Sequence, residues 1–346
     1  MARAYSGREF SAIVGIANND TSGGKVGEAT QDANHVNLSK VLMRVNSPTN
    51  MFDYSAGYNR AEVSRAGVRA LRAEDIINHY GSGTWTWDFD WLVDNEKGIQ
   101  NLLELMYPNH GGTITTSMTY PAAPTVNDLS HGETTETVSK LAFIILQNPL
   151  ASRDHYMHNA NLQELTLSMS ATADGGRLRA SGQFMSGYKP VIETNTVGAD
   201  TGEADYSGGL FLCDTSTFGG SDAMVVRDFS LTISNPASRV GYQGTNSETD
   251  GYVRGGGFSI TGSITMKSDS VQQINDDTFW KLNATAAIVL KPSSASATKT
   301  IDFSIPAANI SNISYDLADE GVFQTVDFTA TSGADAGGNL AVIKAT

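Results

Sequence analysis

Apolar and polar residues alternate over long stretches of this chain, and the strictest case is GTWTWDFDW at 83–91. Trp85, Trp87, Phe89 and Trp91 fall on one parity, and Thr84, Thr86, Asp88 and Asp90 on the other. Successive side chains of a strand point to opposite faces. The pattern therefore predicts a strand with its aromatic side packed inward and a polar side ending in two carboxylates. ELTLSMS (164–170) and GRLRASGQF (176–184) alternate on either side of ATADGG, whose Asp174, Gly175 and Gly176 suit a tight hairpin. DFSLTIS (228–234) and GFSITGSITM (257–266) repeat the pattern, with Phe229, Leu231 and Ile233 on one face of the first and Phe258, Ile260 and Ile264 on one face of the second. Such strands, separated by Gly, Asn, Asp and Ser clusters, predict sandwich or barrel domains.

Two segments switch to helical spacing. In DNEKGIQNLLELM, Asp94 is the expected N-cap, Ile99, Leu102, Leu103 and Met106 share one face, and Pro108 ends the helix. In SVQQINDDTFWKL, Ser270 and Gln273 form a capping-box pattern, and Val271, Ile274 and Trp280 supply the buried stripe. The order of elements then repeats. WTWDFDW and its helix correspond to FSITGSITM and the second helix. Each is followed by an apolar strand (KLAFIILQ; ATAAIVLK), a long alternating strand (NLQELTLSMS; TIDFSIPAANISNISY) and a hairpin partner. This predicts a mainly β chain made by internal duplication. The expected units are two tandem β-barrel or sandwich modules with one flanking α-helix each, at 1–196 and 210–346, joined by the Gly-rich acidic linker 197–209. Long polar insertions at 18–37 and 235–257 are expected to be loops that a partner orders.

Composition narrows the function. At 346 residues the chain is long enough for a substantial core. With 37 acidic against 23 basic residues, a formal net charge of −14, it is unsuited to gripping nucleic acid through phosphates, though not to letting it slide past. A single cysteine, Cys213, excludes an intrachain disulfide framework and a cysteine-based zinc site. The apolar run near the N-terminus, FSAIVGIA, is too short for a secretory segment, and the longest run, LAFIIL at 141–146, is far below a membrane span. A soluble protein made in the cytoplasm is expected.

Candidate chemistry is sparse. Asp88 and Asp90 stand about 7 Å apart along a strand, a spacing a glycosidase pair could use, but two carboxylates on a solvated face are the commoner arrangement. His155 and His158 could share a metal only on a helix, and they run directly into a strand, so a polar loop is expected there. DFDWLVD lacks a ligand at its third calcium position, where Leu92 stands, and the GGG at 255–257 precedes a strand and lacks the lysine of a phosphate loop. No G-x-S-x-G elbow occurs. The expectation is a protein that is not an enzyme, with no cofactor and no metal. Arg60, Arg65, Arg69 and Arg72 in RAEVSRAGVRALR lack interleaved aromatics, and fit an interface with an acidic neighbouring subunit better than a nucleic-acid stripe.

Three segments resemble the tail tube proteins of long-tailed bacteriophages. KTIDFSIPAANISNISYDLADEGVFQTVDFTAT (299–331) has the family's strand, turn and returning strand, SGTWTWDFDWLVDNEKGIQNLLELMYP looks like its strand-then-helix core, and ELTLSMSATADGGRLRASGQF looks like its central hairpin. The resemblance implies small β modules that close into rings, whose inner strands join in one barrel and which stack into a hollow tube for the genome. Single-module relatives form hexamers and two-module relatives form trimers that imitate a hexamer. The duplication therefore implies stacked trimeric, pseudo-hexameric rings here, with a hexamer as the alternative. Other tail proteins would be partners, and the location would be the virion tail, assembled in the host cytoplasm without a membrane. DNA would pass through the bore without specific binding. Carboxylates repel the polyanion, whereas lysines would hold it at each step, so Thr84, Thr86, Asp88 and Asp90 are the expected lumen-facing residues. The chief alternative is a carbohydrate-binding or carbohydrate-active β-sandwich, which requires Trp85, Trp87 and Trp91 to be exposed. A secreted adhesin would require an export signal.

Overall fold

The structure is a computed structural model. It describes residues 10–17, 40–43, 52, 58–62, 76–80, 84–106, 118–121, 141–148, 153–193, 210–213, 216–219, 222–240, 251–253, 258–268, 285–294, 300–318, 321–331 and 339–345. The chain is mainly β, as its alternation predicts. The first half gives β1 (Ser11–Ala17), β2 (Lys40–Met43), β3 (Tyr58–Glu62), β4 (Ile76–Tyr80), β5 (Trp85–Leu92), α1 (Glu96–Met106), β6 (Met118–Pro121), β7 (Leu141–Gln147), β8 (Asp154–Ser170), β9 (Arg179–Ser186) and β10 (Val191–Glu193). The second half gives β11 (Leu210–Cys213), β12 (Thr217–Phe218), β13 (Asp222–Ala223), β14 (Val226–Ser234), β15 (Ser238–Val240), β16 (Gly251–Val253), β17 (Ser259–Lys267), β18 (Thr285–Leu290), β19 (Pro292–Ser294), β20 (Ile301–Ala318), β21 (Gly321–Ala330) and β22 (Asn339–Ala345). The helix expected near 271–282, the linker 197–209 and the insertion 18–37 lie outside the described residues.

Most strands join one large antiparallel sheet that runs through both halves. Its long continuous part is ordered β5, β9, β8, β14, β17, β21, β20, with β14 of the second half lying between β8 of the first and β17. On the inner side of this stretch the apolar parity of every strand meets in one core. Phe89 lies opposite Gly182, Leu165 opposite Ile233, and Gly262 opposite Phe328. Two of these pairs place a phenyl ring over a glycine. A Cβ at Gly262 would sit on the Phe328 ring, and one at Gly182 would meet the Glu164 carbonyl and lie 3.0 Å from the Phe89 ring. Glycine in a strand interior usually marks such a close approach.

The duplicated order is visible in the ladders themselves. β7 pairs with β8 as β18 pairs with β20, and both ladders carry one extra residue on the long strand at the corresponding place. Ala142↔Ala160 is followed by Ile144↔Met157, and Ala286↔Ala308 by Ile288↔Ile305. A second shift recurs at Leu162↔Phe184 then Glu164↔Gln183, and at Ile310↔Phe328 then Asn312↔Asp327. These bulges bend β8 and β20, so that the first part of each pairs with the apolar strand and the last part with the hairpin partner. In β8 the bend falls next to Asn159, a buried residue with φ of 44°. Its neighbours His155 and His158 are therefore strand residues, and not the loop expected from their polarity. His158 is buried with its ring stacked on Tyr156 at 5.8 Å between centroids.

LAFIIL is unbroken in apolar character because β7 is covered on both faces. Ala142, Ile144 and Leu146 enter the main core, and Leu141, Phe143 and Ile145 enter a second cluster with Ile13, Tyr156, Tyr188 and Tyr252. That second cluster anchors the hairpin β15–β16, so part of the insertion at 235–257 is ordered structure and not the loop expected. The Tyr252 hydroxyl accepts the buried Gly187 N–H at 2.7 Å.

Helix α1 begins one residue away from the expected cap. Asn95 Oδ1, and not Asp94, accepts the Gly98 N–H at 2.6 Å, while Asp94 accepts the Asn95 side-chain amide. This is N-cap to N3 geometry, which Asn provides as well as Asp. Gly98 is a glycine because the Trp91 ring lies 2.5 Å from where its Cβ would be. Ile99, Leu102, Leu103 and Met106 are buried as expected. At the other end, Asn235 Nδ2 donates to Met106 O at 2.7 Å, so the second half of the chain closes the helix of the first.

Candidate functional site: the polar face of the long sheet

The parity opposite the core forms a continuous polar face. One row across six strands reads Asp90, Ser181, Thr166, Thr232, Thr261, Thr329, each directly opposite the next. The row beside it reads Asp88, Gln183, Glu164, Ser234, Ser259. On the other side come Arg179, Ser168, Ser230, Ser263, Asp327, Asn312. Hydroxyls meet across the strands, Thr166 to Thr232 at 3.0 Å and Thr265 to Thr325 at 2.9 Å. Gln183 Nε2 donates to Asp88 at 2.8 Å, and Asn312 Nδ2 to Asp327 at 3.0 Å. Cross-strand bonds of this kind hold short polar side chains flat and leave few long ones to reach outward.

The face carries more acid than base. Asp88, Asp90, Glu164, Asp228, Asp316 and Asp327 lie on it, Lys267 stands on the same parity at the end of β17, and the arginines are tied down. Arg179 donates to both oxygens of Asp90 at 2.5 and 2.6 Å and to Asp174 at 2.7 Å. The hydrogen bond to Asp90, with the charges of Asp90 and Asp174, pushes the Arg179 pKa above its ordinary value against an opposing effect of burial. Arg227 donates to Asp228 at 2.7 Å and lies 4.2 Å over the Phe323 ring. Among the described residues no salt bridge neutralises Asp88, Glu164 or Asp327. Asp90 is thus only in part the free charge expected, since its carboxylate is half of a bidentate pair.

Of the sequence candidates, Thr84, Thr86 and Asp88 are exposed and Asp90 half-buried, all on this side of β5. Arg60 lies in β3 opposite Asn78, in a two-stranded ladder separate from the long sheet, and Arg65, Arg69 and Arg72 lie outside the described residues. The sequence reading did not single out Glu164, Arg179, Asp228 or Asp327. Each occupies the polar parity of an alternating strand, and that parity was the signal available. Trp85, Trp87 and Trp91 are at most 2% exposed and so offer no ring face for a sugar. A shallow concavity of about 370 Å³ beside the β8–β9 turn is lined by Ser170, Asp174, Arg179 and Asp228. Among the described residues no group of His, Cys, Asp and Glu is placed to hold a metal ion, and no helix is long and apolar enough to cross a membrane. No protein-family model matches this chain, and no curated protein matches it in sequence.

Proposed function

We propose that the protein is the structural subunit of a bacteriophage tail tube. Its copies close into rings, its rings stack, and the polar face of the long sheet lines the bore through which DNA travels. The observation that carries this reading is the face itself. It has threonine, serine or a carboxylate on every strand, arginines held by their own carboxylates, and a reverse side locked by tryptophan, phenylalanine and leucine. A surface of this kind offers a polyanion few phosphate contacts and little apolar foothold, so DNA remains hydrated and free to slide. The two halves act as tandem tube modules, so three chains supply six modules to a pseudo-hexameric ring. The tube sits in the virion tail, contacts other tail proteins, and uses no cofactor.

Negative-stain microscopy of the purified protein is expected to give tubes of uniform diameter, and native mass measurement of the smallest closed assembly is expected to give three copies. A compact monomer at high concentration, with neither rings nor tubes, overturns the reading.

A further inference from the structure

The duplication makes the two halves comparable residue by residue, and one part of the comparison fails. Matching the ladders places Leu167 and Met169 of β8 on Tyr315 and Leu317 of β20, and Leu178 before β9 on Val322 of β21. All six are apolar, as a core face requires. Leu167, Met169 and Leu178 are buried, yet Tyr315 is 48% exposed, Leu317 80% and Val322 40%.

The cause lies in the neighbours. In the first half, β14 pairs along the free edge of β8 from Glu164 to Ser170 and sets Leu231 beside Leu167 and Phe229 beside Met169. That strand comes from the second half. The matching edge of β20, from Asn312 to Leu317, has no strand beside it among the described residues, because β21 occupies its other side. A single chain can supply the second half's strand to its first half, but it has no further half to cover its second.

We infer that the β20 edge at Asn312–Leu317, with Tyr315, Leu317 and Val322, is the docking surface for a second copy of this chain. That copy is joined on the β5 side of its own sheet, as the second half joins the first within one chain. Two features identify the occupant as a second copy and not an unrelated protein. The slot already has a fitted occupant elsewhere in the same molecule, and the exposed residues keep the apolar identity that fit demands. An unpaired edge carrying exposed Leu and Tyr otherwise invites unspecific strand pairing. The inference shares with the tube reading the premise that copies associate, and adds which edge closes the contact.

Leu317→Glu tests it. The side chain is mostly exposed in the free chain, so circular dichroism and melting temperature are expected to be unchanged. The protein concentration needed for assembly is expected to rise by about 30-fold or more, the scale of a central interface residue. Hydrogen exchange on the wild-type chain is the second measurement, in which the peptide covering 311–318 gains protection on assembly. Leu317→Glu assembling at the wild-type concentration, or unchanged exchange at 311–318 in the assembled state, overturns the assignment of this edge while leaving the tube reading intact. A wild-type chain that never self-associates overturns both.

Discussion

Reversing charge on the polar face without disturbing its ion pairs is the sharpest probe of the proposed bore. Asp88 and Glu164 are suited to it, because both are exposed and they flank Gln183 on adjacent strands. Asp90 is a poor choice, since a lysine there would face Arg179. Strands two apart are separated by about 10 Å, close to a Debye length at moderate salt, so lysines at 88 and 164 act nearly independently. The fold is expected to survive. The double variant loses the Gln183 hydrogen bond at an exposed site and little else, within about 1 kcal/mol. With three chains in a ring, two lysines per chain offer up to about six phosphate contacts. DNA affinity should then fall by about 10³ between 50 and 200 mM salt.

The assay is cosedimentation of assembled tubes with a labelled short duplex at the two salt concentrations, followed by nuclease. Wild-type tubes are expected to retain none. Tubes of Asp88→Lys/Glu164→Lys are expected to retain duplex at low salt, release it at high salt, and shield it from nuclease. Retained duplex that nuclease digests puts this face on the outside of the tube and refutes the argument, as does assembly without retention at low salt.

Three further outcomes follow from buried contacts. Tyr252→Phe strands the Gly187 N–H and should cost about 1–3 kcal/mol, read as a lower urea midpoint at unchanged m-value. Burial also pushes the Tyr252 pKa up, so the wild-type chain should lose stability as pH rises above the ordinary value of 10.0, a loss the Phe variant should lack. Burial lowers the His155 pKa against the opposing charge of Asp154, so the folded state favours neutral imidazole and stability should fall as pH drops below the ordinary 6.5. His155→Gln should flatten that decline in thermal melts, and an equally steep decline would show another group to be responsible. Gly262→Ala should cost about 1–3 kcal/mol by pressing on Phe328. Combined with Phe328→Leu, the cost should be less than the sum by at least about 0.5 kcal/mol, whereas additivity would mean the ring does not cover that glycine.

How much of this was legible in the sequence depends on the range of the interaction concerned. Period-two alternation fixed β5, β8, β9, β14 and β17 and the faces their side chains take, because strand geometry sends neighbouring residues to opposite sides whatever surrounds them. It also fixed which of Thr86, Asp88 and Asp90 share a surface, and the order of elements matches the repeat of the β7–β8 ladder in β18–β20. Choices among near neighbours were less determined. Asp94 and Asn95 cap equally well by type, and it is Asn95 that takes the Gly98 N–H, beside the Trp91 ring. His155 and His158 look like a loop by polarity, but pairing with β7 and the burial of Tyr156 between them in the second core carry them as strand. The pairing of Arg179 with Asp90 spans 89 positions and depends on β9 returning beside β5, a register no local pattern encodes. The contrast between buried Met169 and exposed Leu317 is the clearest limit. Both are apolar at matching points of matching strands, and only the arrival of β14 at one edge and not the other tells them apart.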